Sequence, residues 1–177
     1  MRPAHPLCYA LIARLPAGSR VVELGTGSGR NRQALVRAGM HVDDLAPRNA
    51  AEPYDAALST HALLHGRPEE IRAHVARVAI ALRPGAPFHA TFGSTQDARF
   101  GIGEQLARET FAPQSGDEIG IPHTFWEYAP LQHIIQENFV IESLEEVSVD
   151  EIVGKWAHTL EPLKACVHWF AQLQRRR

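Results

Sequence analysis

The residue types best suited to chemistry are concentrated in Val21-Val22-Glu23-Leu24-Gly25-Thr26-Gly27-Ser28-Gly29-Arg30-Asn31. Val21 and Val22 favour a buried, pleated backbone. Gly25, Gly27 and Gly29 permit positive φ and leave main-chain N–H groups open to a ligand with no Cβ in the way. A helix that follows such a turn presents unpaired N–H groups and the positive end of its dipole, which suits a carboxylate or phosphate. Glu23 can accept from hydroxyls or an ammonium. Glu23, Gly25, Thr26, Gly27 and Gly29 are therefore candidate contacts for a nucleotide-like ligand, against the plain alternative of a structural tight turn. The spacing is Gly-x-Gly-x-Gly, which differs from the dinucleotide fingerprint and lacks the Gly-Lys-Ser/Thr of a phosphate loop, so hydride chemistry is disfavoured.

A second candidate site follows Ala56-Ala57-Leu58-Ser59. Ser59, Thr60 and His61 stand at the carboxyl end of that apolar run, and an imidazole titrates near neutrality, as a general base must. His65 lies one helical turn on. The His61/His65 spacing is that of a His-Glu-x-x-His zinc helix, but Ala62 occupies the glutamate position and no third ligand is evident, so no metal is expected.

The elements that must position these residues are legible from periodicity and punctuation. Helices are predicted over 7–15, over 30–38 with Gly39 as the C-terminal cap, from Pro68 to Leu82, and over 126–137 with Leu131, Ile134 and Ile135 inward. Strands are predicted over 20–24, from His41 to Asp43 and Asp44, and over 56–59, 88–92, 139–147 and 167–173. This alternation predicts an α/β fold, a doubly wound, mostly parallel sheet with ligands at the carboxyl ends of its strands. Gly93 to Thr124, rich in glycine and proline, reads as an irregular lid too long for an ordinary connection. Arg99 and His123, with Trp126 just beyond, are its candidate substrate contacts together with His65, although Asp97-Ala98-Arg99 is equally suited to bracing the loop. Trp156, His158, His168 and Trp169 read as packing residues of the last strands.

Length and composition set the outer bounds. The 177 residues, 45% apolar, suit a single domain with one core. A net charge of −2 offers no basic field for nucleic acid, no apolar run is long enough to span a membrane, and the N-terminal residues lack a secretory core. Cys8 and Cys166 lack a metal or disulfide-scaffold spacing, which makes buried thiols in a reducing cytoplasm the expectation. A monomer or homodimer acting on a small molecule fits these bounds.

The Glu23–Gly29 segment resembles the cofactor motif of class I S-adenosylmethionine-dependent methyltransferases. Tyr54 to His65 is similar to their fourth motif, and Leu82-Arg83-Pro84-Gly85-Ala86 to the turn entering their fifth strand. The resemblance implies S-adenosylmethionine as cofactor, methyl transfer to a small molecule, and Ser59, Thr60 and His61 beside the reactive methyl. It also implies an acid for the ribose hydroxyls at the end of the second strand. The family register puts that acid on Ala46, whereas Asp43 and Asp44 come slightly earlier. Only eleven steps separate Asp44 from Asp55, too few for a crossover helix plus an extra strand. One strand–helix unit of the family sheet is therefore expected to be missing. The same shortening supports an alternative, a non-catalytic binding or assembly module with weakened cofactor affinity.

Overall fold

The computed structural model describes residues 3–45, 52–149 and 165–177. Four parallel strands make the floor of the molecule: β1 (Arg20–Glu23), β2 (His41–Asp44), β3 (Ala56–Ser59) and β4 (Pro87–Ser94). β1 lies between β2 and β3, and β4 follows β3. The long hairpin partners β8 (Phe139–Ser148) and β9 (Val167–Arg175) complete the sheet, β9 running antiparallel to β4 along Pro87–Gly93. The chain moves from β1 outward to β2 and then returns to β3 on the opposite side of β1. The order therefore reverses at β1, and a crevice opens between the carboxyl ends of β1 and β3. This is the mostly parallel α/β sheet that the alternation predicts.

Period-two alternation sends neighbouring side chains to opposite faces. Val21, Ala56 and Leu58 pack with Leu7, Cys8 and Leu11 of α1 (Pro6–Ile12) and Leu35 of α2 (Arg30–Arg37). Val22 and Ala57 face the other way, against Ile71, Val75 and Val78 of α3 (Pro68–Ala81) and Leu131 and Ile135 of α4 (Tyr128–Gln136). Pro68 opens α3 at a position needing no N–H donor, and the Glu70 carboxylate accepts from the Arg67 N–H at 2.6 Å to close a capping box. Cys8 and Cys166 are both buried. No helix among the described residues is long and apolar enough to cross a membrane.

Three expectations need correction. The 93–124 segment is not irregular throughout: it forms β5 (Glu104–Ala107) and β6 (Thr110–Ala112) and leads into β7 (His123–Trp126), which pair antiparallel in succession. Its glycines mark close backbone approach rather than disorder of pattern. A Cβ on Gly93 would lie 2.6 Å from the Thr124 carbonyl oxygen, and one on Gly103 2.1 Å from that of Ala112. Trp126 belongs to β7, not to the following helix, because its carbonyl accepts from the Trp169 indole N–H at 2.9 Å and its backbone pairs with Ser94. The first helix ends at Ile12, short of Leu15.

Gly93 pairs with His168 of β9 and with Phe125 of β7. A strand has two edges, so β7 must occupy the edge of β4 that β3 uses lower down. The β5–β6–β7 sheet therefore stands beyond the carboxyl end of β3 and roofs the crevice. Trp156, His158 and the 46–51 stretch on which the missing-unit expectation turns lie outside the described residues.

Candidate functional site

The floor of the crevice begins where β1 ends. The Glu23 carboxylate is 1% exposed, and among the described residues neither oxygen has a partner at hydrogen-bond distance. Burial pushes its pKa up to about 7, while Arg32, with Nε 3.7 Å away, and Asn31 work against that rise. The turn that follows places Gly25, Gly27 and Gly29 at φ 79°, 50° and 74°, a region in which L side chains are strained. The Gly29 N–H donates to the Thr26 carbonyl at 2.9 Å, and Gly29 serves as N-cap of α2 with no side-chain cap, leaving the first amides of that helix available. Gly25 has a packing role as well, since a Cβ there would sit 2.5 Å from that of Ala62.

Asp44 pairs in register with Glu23 across β1 and β2, and its side chain accepts from the Thr26 hydroxyl and the Arg32 guanidinium. Asp43, one residue earlier, faces the other side of the sheet and approaches Arg20 at 3.7 Å. The fold thus brings Asp44, and not Asp43, to the glycine turn. Arg32 reaches both Glu23 and Asp44 and was not singled out by its position in the sequence, because a helix residue three places after Gly29 carries no motif. These residues fit a ligand with a cationic end and vicinal hydroxyls. A buried carboxylate whose cation stands as far off as 3.7 Å can take a second positive partner, and an exposed one at a strand end can accept from hydroxyls.

The loop after β3 forms the facing wall. Ser59 is fully buried and its hydroxyl has no partner among the described residues. The Thr60 hydroxyl accepts from the Asn31 amide at 2.8 Å, and the Asn31 side-chain oxygen accepts from the His5 N–H at 2.9 Å, tying α1, α2 and this loop together. His61 adopts φ 75°, an unfavourable value for a side-chain-bearing residue, held by its N–H donating to the Thr91 hydroxyl at 2.8 Å. Its ring stands edge-on between those of His5 and His168, with centroids 5.7 and 5.6 Å away. Burial lowers the pKa of His5 to about 3 and that of His168 to about 4, so both neighbours are neutral at pH 7.

Arg99 does not project into open space. Its guanidinium makes a two-point contact with Asp97, at 2.8 and 3.1 Å, and donates to His168 Nε2 at 3.0 Å. That bond assigns the His168 proton to Nδ1, which has no partner among the described residues. Burial works to raise the Asp97 pKa, but Arg99 wins and holds it below the usual carboxylate value. Asp97 also accepts from the Val167 N–H at 3.0 Å, so the Asp97-Ala98-Arg99 sequence braces β9 against the roof. Trp126 is buried in the core beside Trp169. His65 and His123, far apart in sequence, meet as an isolated antiparallel bridge, with rings edge-on at 4.7 Å and Glu118 between them. The involvement of Asp97, Glu118 and His168 depends on long-range contacts and has no local sequence signal.

No protein-family model and no curated protein matches this sequence. Solved structures do match in shape. A S-adenosylmethionine-dependent methyltransferase from Methanosarcina mazei superposes with a TM-score of 0.71 at 13% identity, over 98% of this chain and 99% of that one. The Burkholderia thailandensis 1,6-didemethyltoxoflavin-N1-methyltransferase, solved with 1,6-didemethyltoxoflavin and S-adenosylhomocysteine, gives 0.65 at 17% identity over 97% and 77%. A S-adenosylmethionine-dependent methyltransferase from Mesorhizobium loti gives 0.61 at 21% identity over 94% and 96%. The chain has the class I methyltransferase fold.

Proposed function

We propose that this protein is a S-adenosylmethionine-dependent methyltransferase acting on a small molecule. The observation that carries the reading is Glu23: a buried carboxylate with no hydrogen-bond donor, at the mouth of a left-handed glycine turn, with Asp44 in register beside it. On this reading Glu23 takes the ammonium of the cofactor's amino-acid end, and the amides after Gly27 and Gly29 take its carboxylate. Asp44 accepts from the ribose hydroxyls, a pair of charge-assisted bonds each worth about 1.5–3 kcal/mol. Bound there, the cofactor supplies an electrophilic methyl group on a sulfonium. Arg32, which reaches both acids, is the resident cation and yields its place near Glu23 while continuing to orient Asp44.

Methyl transfer from a charged leaving group asks mainly for alignment. Ser59 and Thr60 line the junction between cofactor and acceptor. His61, held in a strained backbone conformation between two neutral imidazoles, is placed to take a proton from the acceptor, and the β5–β7 roof excludes water above it. His65 and His123 border the acceptor side, whereas Trp126 packs in the core and Arg99 braces the roof through Asp97 and His168. The reading is tested by calorimetric titration of the full chain with S-adenosylmethionine and S-adenosylhomocysteine. Saturable binding that is lost in Gly27→Arg is expected. No heat from folded protein at millimolar ligand would overturn it.

A further inference from the structure

His65 from one segment, and Glu118 and His123 from another on which they stand five residues apart, converge at the junction of floor and roof. One ligand atom from each of the three lies within 4.8 Å of the other two. We propose that His65 Nε2, His123 Nε2 and the Glu118 carboxylate bind a divalent first-row transition-metal ion, with Zn2+ as the reference case. Two imidazoles and one carboxylate suit Zn2+, Co2+ or Fe2+ rather than Mg2+ or Ca2+, which prefer oxygen ligands throughout.

The two carboxylate–imidazole spacings are already those of neighbouring ligands. Zinc–nitrogen and zinc–oxygen bonds of about 2.0–2.2 Å put adjacent tetrahedral ligands roughly 3–3.5 Å apart. Glu118 Oε1 lies 3.2 Å from His65 Nε2, and Oε2 lies 3.0 Å from His123 Nε2. The tautomer of His123 adds an independent argument. Its Nδ1 lies 2.8 Å from the Ile121 carbonyl oxygen, which can only accept, so the ring proton belongs on Nδ1. In the neutral ring, Nε2 then presents a lone pair to a carboxylate that also presents lone pairs. Two acceptors facing each other across 3.0 Å call for a positive charge between them, which either a second ring proton or a bound metal ion supplies. An outer carbonyl on Nδ1 is also the usual means by which a ligating imidazole is oriented.

The scaffold is firm. His123 is only 3% exposed, and the strand segments carrying the two histidines are joined by the Gly66 N–H donating to the Pro122 carbonyl at 2.7 Å and the Thr124 hydroxyl donating to the Gly66 carbonyl at 2.7 Å. Glu118 and His65 are partly exposed, so three protein ligands would leave a solvent-facing position for water or an anionic oxygen of a small molecule. The sequence hides this site because it pairs His65 with His61 by spacing, whereas the fold pairs it with a residue fifty-eight positions on.

The test uses tag-free, chelator-treated full-length protein without any S-adenosyl compound, which makes it independent of the cofactor reading. Titration with Zn2+ should show one saturable site, and Co2+ should give the intense visible absorption of a four-coordinate ion. His65→Ala and Glu118→Gln, at the exposed side of the cluster, should each weaken Zn2+ by more than the roughly 10–100-fold typical of losing an outer-shell partner. His133→Ala, on the exposed face of α4, should leave it unchanged. Absence of saturable binding in folded protein would overturn the proposal. So would equal affinity in wild type and in both cluster variants, which would leave the three residues as a hydrogen-bonded ion cluster.

Discussion

The floor and the roof of the crevice are built on different terms. On the floor, the proposed ligand contacts are short-range in sequence: Glu23, the three glycines and Arg32 lie within ten residues, and Asp44 comes from a neighbouring strand. On the roof, several charged groups find partners far along the chain, Asp97 in Val167, Arg99 in His168, His65 in Glu118. The floor leaves a charge without a donor and awaits a ligand. Around Asp97 and Arg99 the roof spends its charges on holding itself together. The difference teaches that a buried, poorly satisfied group is a better pointer to a binding site here than a charged loop residue is.

Gly27→Arg should break the floor outright: binding of S-adenosylmethionine falls by at least about 100-fold, equivalent to roughly 2.7 kcal/mol or more, because a long side chain enters the turn. Calorimetry against circular dichroism separates this from unfolding. Arg99→Ala is the matching assault on the roof. It leaves the Asp97 carboxylate buried without its cation, at a cost of about 3 kcal/mol in denaturant unfolding at neutral pH, with little change in cofactor affinity. Since Asp97 is held below its ordinary value, the stability it contributes is present above the unfolded carboxylate range and is lost as pH falls through its folded value. The deficit of Arg99→Ala relative to wild type should therefore close in acid.

Glu23→Gln sharpens the contrast in the opposite direction. The folded protein holds the Glu23 proton up to about 7, above the usual glutamate value. Ligand-free wild type should therefore lose stability as pH rises from the unfolded value through about 7, by roughly 3 kcal/mol at 1.36 kcal/mol per unit. The Gln variant should show no such slope and should be the more stable protein at pH 8, while binding the cofactor more weakly. Cofactor affinity of the wild type should strengthen as pH climbs through about 7, because ionised Glu23 is the form that holds an ammonium. The smallest effect is expected from His61→Gly, which relieves a left-handed backbone and should gain about 1 kcal/mol in thermal unfolding while abolishing any proton transfer at that position. A loss of stability instead would assign His61 to packing.

The floor was legible because its signals are local. The strand, the glycine spacing and the carboxylate of Glu23 are contiguous, and the alternation of Val21 and Val22 announces a strand covered on both faces. The roof was not, for physical reasons that particular residues display. Gly93 and Gly103 resemble loop punctuation, yet each serves to let another backbone pass close by. The β5–β6 turn runs through Arg108 and Glu109, with Glu109 at φ 61°, so it lacks the Asn-Gly or Asp-Gly signature that marks most tight hairpins. Arg99 was expected to meet substrate or to brace the loop, and the geometry supports bracing.

β4 serves two tiers at once, carrying β3 along its lower half and β7 at its tip. That continuity has a mechanical meaning. Swinging the upper tier away as a rigid flap would unzip the Gly93–Phe125 ladder, the Gly66–Pro122 bond and the Trp169–Trp126 bond together. Such a cover cannot act as a hinged door at ordinary thermal cost. A route into the crevice that leaves this ladder intact asks only for local loosening of turns, not for movement of the tier as a whole.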